Sequence, residues 1–149
     1  MAFRLISSGG ANVDPTVVQM FASGVVYRNA PVEWTITGGS VLGPAGVDTT
    51  QTTLFGVALD YAQGASDTLV RVIPFNQAQL WEVDCANAIA SAQVGIRQYL
   101  SASLGYVHNQ GTDTSGINRV FLPLAMTGAT SGSGKLIGIF TVTPGRHGT

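Results

Sequence analysis

The sequence predicts an all-β protein, namely an antiparallel β-sandwich or barrel of about eight to ten short strands with an N-terminal arm and one short helix. Apolar residues alternate with other residues in several short runs, as they do in half-buried strands. Glycine-rich turns separate these runs at intervals of about 8 to 15 residues. The 19 glycines and the shortage of lysine and glutamate disfavour a mainly helical chain.

The N-terminal part is expected to differ from the rest, which divides the chain into an arm over residues 1–23 and a β-rich domain over residues 24–149. Residues 1–13 show no usable period and are predicted to form an arm or a loosely held tail. Asp14 and Pro15 then have the character of a helix cap followed by a first-turn proline. The apolar stripe after them predicts a helix of about nine residues that packs on its own sheet or on a neighbouring subunit.

The chain is predicted to be organised around a hairpin over residues 54–75, where two alternating apolar runs flank a loop at residues 61–68. Proline 31 interrupts an earlier pair of strands, and residues 38–53 are expected to form a polar loop rich in glycine and threonine. Pro123 places its own strand at a sheet edge or a bulge. The further strands are predicted over residues 24–37, 79–85, 94–100, 104–107, 117–126 and 135–143.

Charged residues are scarce in this chain, and their scarcity disfavours nucleic acid and anionic membranes as partners. Seven Lys and Arg against eight Asp and Glu give a formal net charge of −1, and charged residues make up 10% of the chain, where about 25% is ordinary. The scattered cations give no basis for binding nucleic acid or an anionic membrane. Because a surface with so few charges is poorly hydrated, we expect much of it to be covered in an oligomer or a lattice. The mean hydropathy of +0.28 supports that expectation.

Targeting and cofactor signals are weak. The N-terminus lacks the hydrophobic region of a signal peptide, and no window approaches the ~20 apolar residues of a membrane span, so we expect a soluble chain made in a cytoplasm. Cys85 is the single cysteine and is expected to be a buried hydrophobe. His108 and His147 lack acidic or sulfur neighbours at ligand spacing, which disfavours a metal site. No metal and no cofactor are expected.

Two motifs that carry chemistry elsewhere are better explained without it. The run from Ser131 to Lys135 resembles the end of a phosphate-binding loop, but Leu136 replaces the magnesium-binding hydroxyl and a strand follows in place of a helix. Glu82 and Asp84 lie on one face of a predicted strand, where they are read as solvent-facing acids, with a general acid and base as the less favoured interpretation. No catalytic residue is therefore assigned, and the protein is not expected to be an enzyme.

Aromatic residues could pack in the core, anchor an interface or line a sugar-binding face. Core packing is expected for most of them, with one or two at an interface. The sequence does not distinguish which residues take each role. The aromatic residues concerned are Trp34, Phe55, Tyr61, Phe75 and Trp81.

The order of these segments resembles the small capsid decoration proteins of tailed bacteriophages, also called head-stabilising or cement proteins. The chain carries a polar arm, a strand GVVYR, the run LFGVALDYAQGASDTLVRVIPF and a strand WEVDC. In those families a strand of the type (L/I)xGVAL follows an extended loop, and a glycine-rich turn leads to a VxVI strand. The matching stretches here are residues 24–28, 54–59 and 70–73, and the similarity covers about half of the chain. The last third is longer than the minimal family domain.

The resemblance implies a structural virion protein without enzymatic activity, assembled in the host cytoplasm and located on the capsid exterior. Its implied partners are the major capsid protein, whose subunit contacts it would stabilise, and copies of itself in a homotrimer. Residues 1–23 would then reach to a neighbour. The candidate interface residues are Arg4, Val17, Val18, Met20, Phe21 and Trp34.

Two alternatives remain open at this stage. The first is a carbohydrate-binding or adhesive β module of a head fibre or tail, which would use Trp34 or Trp81. The second is a hydrolase built on Glu82 and Asp84, which would need a deep cleft around both carboxylates. A flat and exposed strand face around them would argue against catalysis.

Overall fold

The computed structural model describes residues 3–7, 15–35, 41–45, 48–76, 78–84, 94–100, 107–108, 119–127 and 135–142. These residues contain eleven β-strands and no helix. The all-β prediction is therefore confirmed. In chain order the strands are β1 (Phe3–Ser7), β2 (Val18–Val26), β3 (Pro31–Trp34), β4 (Val41–Pro44), β5 (Leu54–Ala58), β6 (Ala62–Pro74), β7 (Leu80–Asp84), β8 (Tyr99–Leu100), β9 (Val107–His108), β10 (Phe121–Thr127) and β11 (Lys135–Phe140).

Five of the strands close into a small barrel in the order β2-β4-β3-β5-β6, with β6 returning to β2. Strands β2 and β4 are parallel, and every other pair in the barrel is antiparallel. Inward-facing side chains fill the interior, as expected for a barrel of this size. The fully buried members of this core include Ala22, Val26, Val32, Leu42 and Val72.

Four more strands form an antiparallel sheet in the order β1-β7-β11-β10, and β8 and β9 pair separately. Strand β7 alternates as its sequence predicts, with Trp81 and Val83 buried and the residues between them half-buried. Strand β10 lies at the sheet edge, and its register shifts after Pro123. Both outcomes predicted for that proline, an edge position and a bulge, are present.

The sheet and the barrel share one hydrophobic cluster. Phe140 of β11 is its centre, since its ring packs against four aromatic rings at centroid distances of 4.0 to 6.1 Å. Three of those rings belong to Phe3, Trp81 and Phe121 of the sheet, and the fourth belongs to Phe75, which directly follows β6 of the barrel. The sequence predicted a sandwich or a barrel, and the structure combines a closed barrel with an open sheet that packs against it.

The predicted helix after Asp14 is wrong. Most of that segment lies in β2, where Val18 and Met20 pack on the barrel core while Gln19 and Phe21 are exposed. Apolar residues at positions 17, 18, 20 and 21 match the spacing of one face of a helix. They also match a strand in which positions 18 and 20 face the core and positions 17 and 21 are exposed. Pairing with β6 from Val18 to Val26 decides the outcome, because tertiary contacts override local propensity.

The described part of the predicted arm also lies on the body of the protein. Phe3–Ser7 forms an edge strand paired with β7, and the Phe3 side chain is buried in the shared cluster. The backbone N–H of Phe3 donates to the carbonyl of Asn29, which ties β1 to the barrel. The boundary predicted between residues 23 and 24 falls inside β2.

The central hairpin is present, but its loop is shorter than predicted. Strands β5 and β6 pair antiparallel, and β6 begins at Ala62 within the expected loop. Opposite β2, the register moves from Ala22–Thr68 to Gly24–Gly64, so residues 65–67 oppose one residue. A bulge in the strand pair accommodates these residues. Small and polar residues are as compatible with a bulge as with a loop, so their composition did not distinguish the two. Strand β4 was missed, because residues 38–53 carry the composition of a loop.

Candidate functional site

An exposed apolar row follows the outer side of the barrel along β2 and β6. Phe21 and Leu69 are opposite each other in the antiparallel register and remain 44% and 51% exposed. Directly opposed side chains of an antiparallel pair lie on the same face and contact each other. We call this surface the β2–β6 face and define it as Phe21, Val25, Tyr27, Tyr61 and Leu69.

Two tyrosines complete the β2–β6 face at its far end. Val26 pairs with Ala62, so the residues flanking that pair, Tyr27 and Tyr61, are neighbours. Their ring centroids are 5.7 Å apart, and Tyr61 remains 54% exposed. Tyrosine is enriched at protein interfaces, because it offers a large apolar surface and one hydrogen-bonding group. The face therefore combines aliphatic and aromatic contact groups on paired strands.

A neutralised ion pair borders the β2–β6 face. Arg71 of β6 lies opposite Gln19 and binds Asp60, with an Nη2–Oδ1 distance of 2.7 Å. The backbone N–H and the Nε of Arg71 also donate to Asp60. The side-chain hydrogen bonds from Arg71, followed by the backbone one, lower the pKa of Asp60 to about 2. This pair presents both charges together, and the charge of Arg28 is close enough to lower the pKa of Asp60 as well.

The pKa of Asp60 predicts a pH dependence of stability. A carboxylate with a pKa of about 2 when folded and about 4 when unfolded stabilises the fold above about pH 4 and stops doing so as the pH falls through about 2. Urea unfolding of the wild type should therefore lose more stability between pH 4 and pH 2 than unfolding of the variant Asp60→Asn. A difference between the two proteins that stays constant across that range would contradict the assignment.

The structure separates the six predicted interface residues. Phe21 belongs to the β2–β6 face, and Val17 is exposed just before β2. Val18 and Met20 turn inward onto the barrel core. Trp34 is half-buried against the same core, with its ring 4.9 Å from that of Phe55 in an edge-on arrangement. The sixth residue, Arg4, lies on the sheet and not on the barrel.

A ladder of charges crosses the open sheet. Arg4 of β1 donates from Nη2 to Glu82 of β7 at 3.0 Å, and Lys135 of β11 binds Asp84 at the same distance. The register pairs Arg4 with Glu82 and Lys135 with Asp84 across neighbouring strands. The two carboxylates proposed for a hydrolase are thus bonded to cations along a sheet face. They do not converge in a deep cleft among the described residues.

The aromatic candidates for sugar binding are not equally available. Trp81 is 1% exposed, and Phe75 is buried beside it in the shared cluster. Trp34 and Phe55 pack against each other on the barrel core. Of the five aromatic residues singled out in the sequence, Tyr61 is the exposed one. A glycan contact through Trp81 is therefore excluded by its burial.

Several candidate residues lie outside the described part of the chain, namely Cys85, His147 and the glycine-rich stretch 131–134. For His108 the structure describes the backbone in β9. Within the described ranges, no three His, Cys, Asp or Glu side chains gather as metal ligands would. The described residues also form no helix that is long and apolar enough to cross a membrane.

Phe21 was among the interface residues predicted from the sequence, whereas its cross-strand neighbour Leu69 was not. In the run from Leu69 to Ile73 four of the five residues are apolar, so alternation does not reveal which side is buried. Arg71 could have indicated the exposed side, because a charged residue of a strand usually faces solvent. Leu69 lies two residues before Arg71 and therefore on the same side of the strand.

Comparison with known proteins adds no assignment. No protein-family model matches the chain. A search of curated proteins also finds no match.

Proposed function

We propose that this chain is a structural virion protein of a tailed bacteriophage, which binds the outside of the capsid through its β2–β6 face and stabilises contacts between major capsid protein subunits. The observation that carries the proposal is the exposed cross-strand pair Phe21 and Leu69, continued by Tyr27 and Tyr61. The exposed Gln63 of β6 lies between these two pairs, so the face carries two apolar patches on one side of the barrel. Exposed apolar groups gathered on one face commonly mark binding surfaces, because leaving them in water is unfavourable.

The composition of the whole chain supports a contact of this kind. A chain with 10% charged residues has few groups with which to hydrate its surface. The Arg71–Asp60 pair at the border of the face is neutral as a unit, so binding would not depend on a strongly charged partner. A capsid repeats the same neutral site many times, and linked weak contacts then add through avidity.

The proposal includes a homotrimer as the form that binds, with the major capsid protein and further copies of this chain as the partners. Its place is the exterior of the virion after assembly in the host cytoplasm. The proposal assigns no catalytic step and no cofactor. On the open sheet Arg4 and Lys135 form ion pairs with Glu82 and Asp84, and exposed pairs of this kind contribute little to stability.

Capsid binding is tested by co-sedimentation with mature heads of the phage that encodes the chain. The double variant Phe21→Ser with Leu69→Ser is expected to weaken binding at least about ten-fold, because it removes two apolar contact groups at the centre of the face. Both side chains are about half exposed and lie outside the barrel core, so the fold should persist, as circular dichroism and thermal unfolding would show.

A matched control changes two exposed apolar residues on the other sheet. Ile6→Ser with Leu124→Ser lies on edge strands β1 and β10, and its binding should equal that of the wild type. Equal loss in both double variants, or no binding of the wild type to heads, would contradict the proposal. Glycan binding that is lost in Tyr61→Ala would favour the adhesive alternative, since the exposed tyrosine pair could stack on a sugar.

A further inference from the structure

A pocket lies at the junction of the sheet and the barrel, away from the residues of the β2–β6 face. Its volume is about 200 Å³. The pocket opens to solvent on one side, and its volume exceeds the about 150 Å³ of an enclosed apolar cavity that binds benzene, so there is room for one aromatic ring. Six apolar residues from both parts of the fold form most of its wall, namely Phe3, Leu5, Val57, Leu59, Ile73 and Trp81.

The wall contains two polar residues, and their roles differ. Arg4 contributes to the wall, but its guanidinium binds Glu82 through both Nε and Nη2. Neighbouring residues of a strand face opposite sides, so Arg4 points away from the side of Phe3 and Leu5, which pack in the core. No free charge therefore selects an ionic ligand.

Asn29 is the uncharged polar residue of the wall. Its backbone is fixed, because its N–H donates to the carbonyl of Ala58 and its carbonyl accepts from Phe3. Its side-chain amide makes no hydrogen bond with any described residue, although the residue is half-buried. A half-buried amide can gain a hydrogen bond from a ligand, since it offers both donors and an acceptor.

We propose that this pocket binds an uncharged, single-ring organic molecule that carries one hydrogen-bonding group, with the ring against the partly buried Leu5 and Leu59 and the polar group on Asn29. The volume of the pocket limits the ligand to about one ring, and the apolar wall favours a ligand that is mostly hydrocarbon. The neutral lining and the amide set its polarity. This binding is independent of capsid attachment, because the pocket and the β2–β6 face share no residue.

The test is an NMR titration of the full chain with phenol, and with toluene as the ring without a polar group. Trp81 lines the pocket, so its indole N–H signal reports on binding there. The indole N–H signal of Trp34, assigned through Trp34→Phe, is the internal reference, because Trp34 packs against the barrel core and does not line the pocket. Phenol should shift the Trp81 signal saturably, with a Kd of about 1 mM. The Trp34 signal should not move.

The variant Asn29→Gly isolates the polar contact. Asn29 has a φ of 61°, a left-handed conformation that glycine adopts without strain, so the turn is retained. Loss of one hydrogen bond should weaken phenol binding about five-fold and leave toluene binding unchanged. The matched control Gln63→Ala removes an exposed amide from strand β6, away from the pocket, and should change the binding of neither ligand.

Three results would overturn the proposal. The first is no saturable shift of Trp81 with phenol or toluene up to their solubility limits. The second is an equal response of Trp81 and Trp34, which would indicate nonspecific solvent effects. The third is an equal effect of Asn29→Gly on both ligands, which would remove the hydrogen bond from the assignment.

Discussion

Replacing Phe140 with alanine is expected to lower the free energy of unfolding by about 3 to 5 kcal/mol. The Phe140 ring is fully buried and stacks on Phe75 at a centroid distance of 4.0 Å. It also contacts Phe3, Trp81 and Phe121, so its removal leaves a space that four rings cannot fill without moving. Because it joins the sheet to the barrel, the loss should affect both parts of the fold.

Urea unfolding monitored by tryptophan fluorescence measures this change. The control is Leu124→Ala on the neighbouring strand β10, where the side chain is 50% exposed, and its effect should lie within about 0.5 kcal/mol of zero. Two separate transitions in Phe140→Ala would show that the sheet and the barrel unfold independently once the ring is gone. Equal, small effects in both variants would contradict a core centred on Phe140.

Gly56→Ala is expected to destabilise the protein by about 3 kcal/mol, near the upper end of the usual cost of overpacking. Gly56 lies in β5 inside the barrel, and a Cβ added there would collide with the backbone carbonyl of Ile73 on β6. It would also approach a methyl group of Val72. Backbone atoms cannot rotate away as a side chain can, so the strand pair itself must separate.

The contrasting variant is Gly95→Ala. A Cβ at that position meets no atom within 4 Å, although its φ of 84° is unfavourable for alanine. Conformational strain alone should cost about 1 to 2 kcal/mol. In thermal unfolding, the Tm of Gly56→Ala should therefore be clearly lower than the Tm of Gly95→Ala. The collision would be disproved if the two variants were destabilised equally.

Local sequence patterns predict the strands whose two faces differ in polarity. In β7 the apolar residues Trp81 and Val83 alternate with the acids Glu82 and Asp84, so both the strand and its buried side follow from the sequence. In β10 the proline at position 123 correctly indicates an edge and a bulge, since it has no N–H to donate.

Patterns fail where pairing partners distant in sequence decide the structure. The segment after Pro15 carries the signals of a helix, yet it forms β2 because β6 pairs with it from residue 62 to residue 72. The cooperative gain from that pairing and from burying Ala22 and Val26 exceeds a weak local preference. Residues 65–67 illustrate a second ambiguity, because a bulge and a loop favour similar small residues.

The candidate binding surface also depends on strand pairing between segments that are distant in sequence. Phe21 was predicted to be an interface residue on a helix, and the structure places it in β2. Its partner Leu69 becomes visible once the antiparallel register is known. The pocket beside Asn29 was not predictable, since its wall combines residues from β1, β5, β6 and β7 with residues from two turns.

The most direct test of the capsid-binding account is side-chain oxidative footprinting of the protein, free in solution and bound to mature heads. The account predicts that Phe21, Tyr61 and Leu69 lose reactivity on the particle, because the β2–β6 face becomes covered. Ile6 and Leu124, exposed on the other sheet, should keep theirs. Protection of Ile6 and Leu124 with Phe21 and Leu69 still reactive would contradict it.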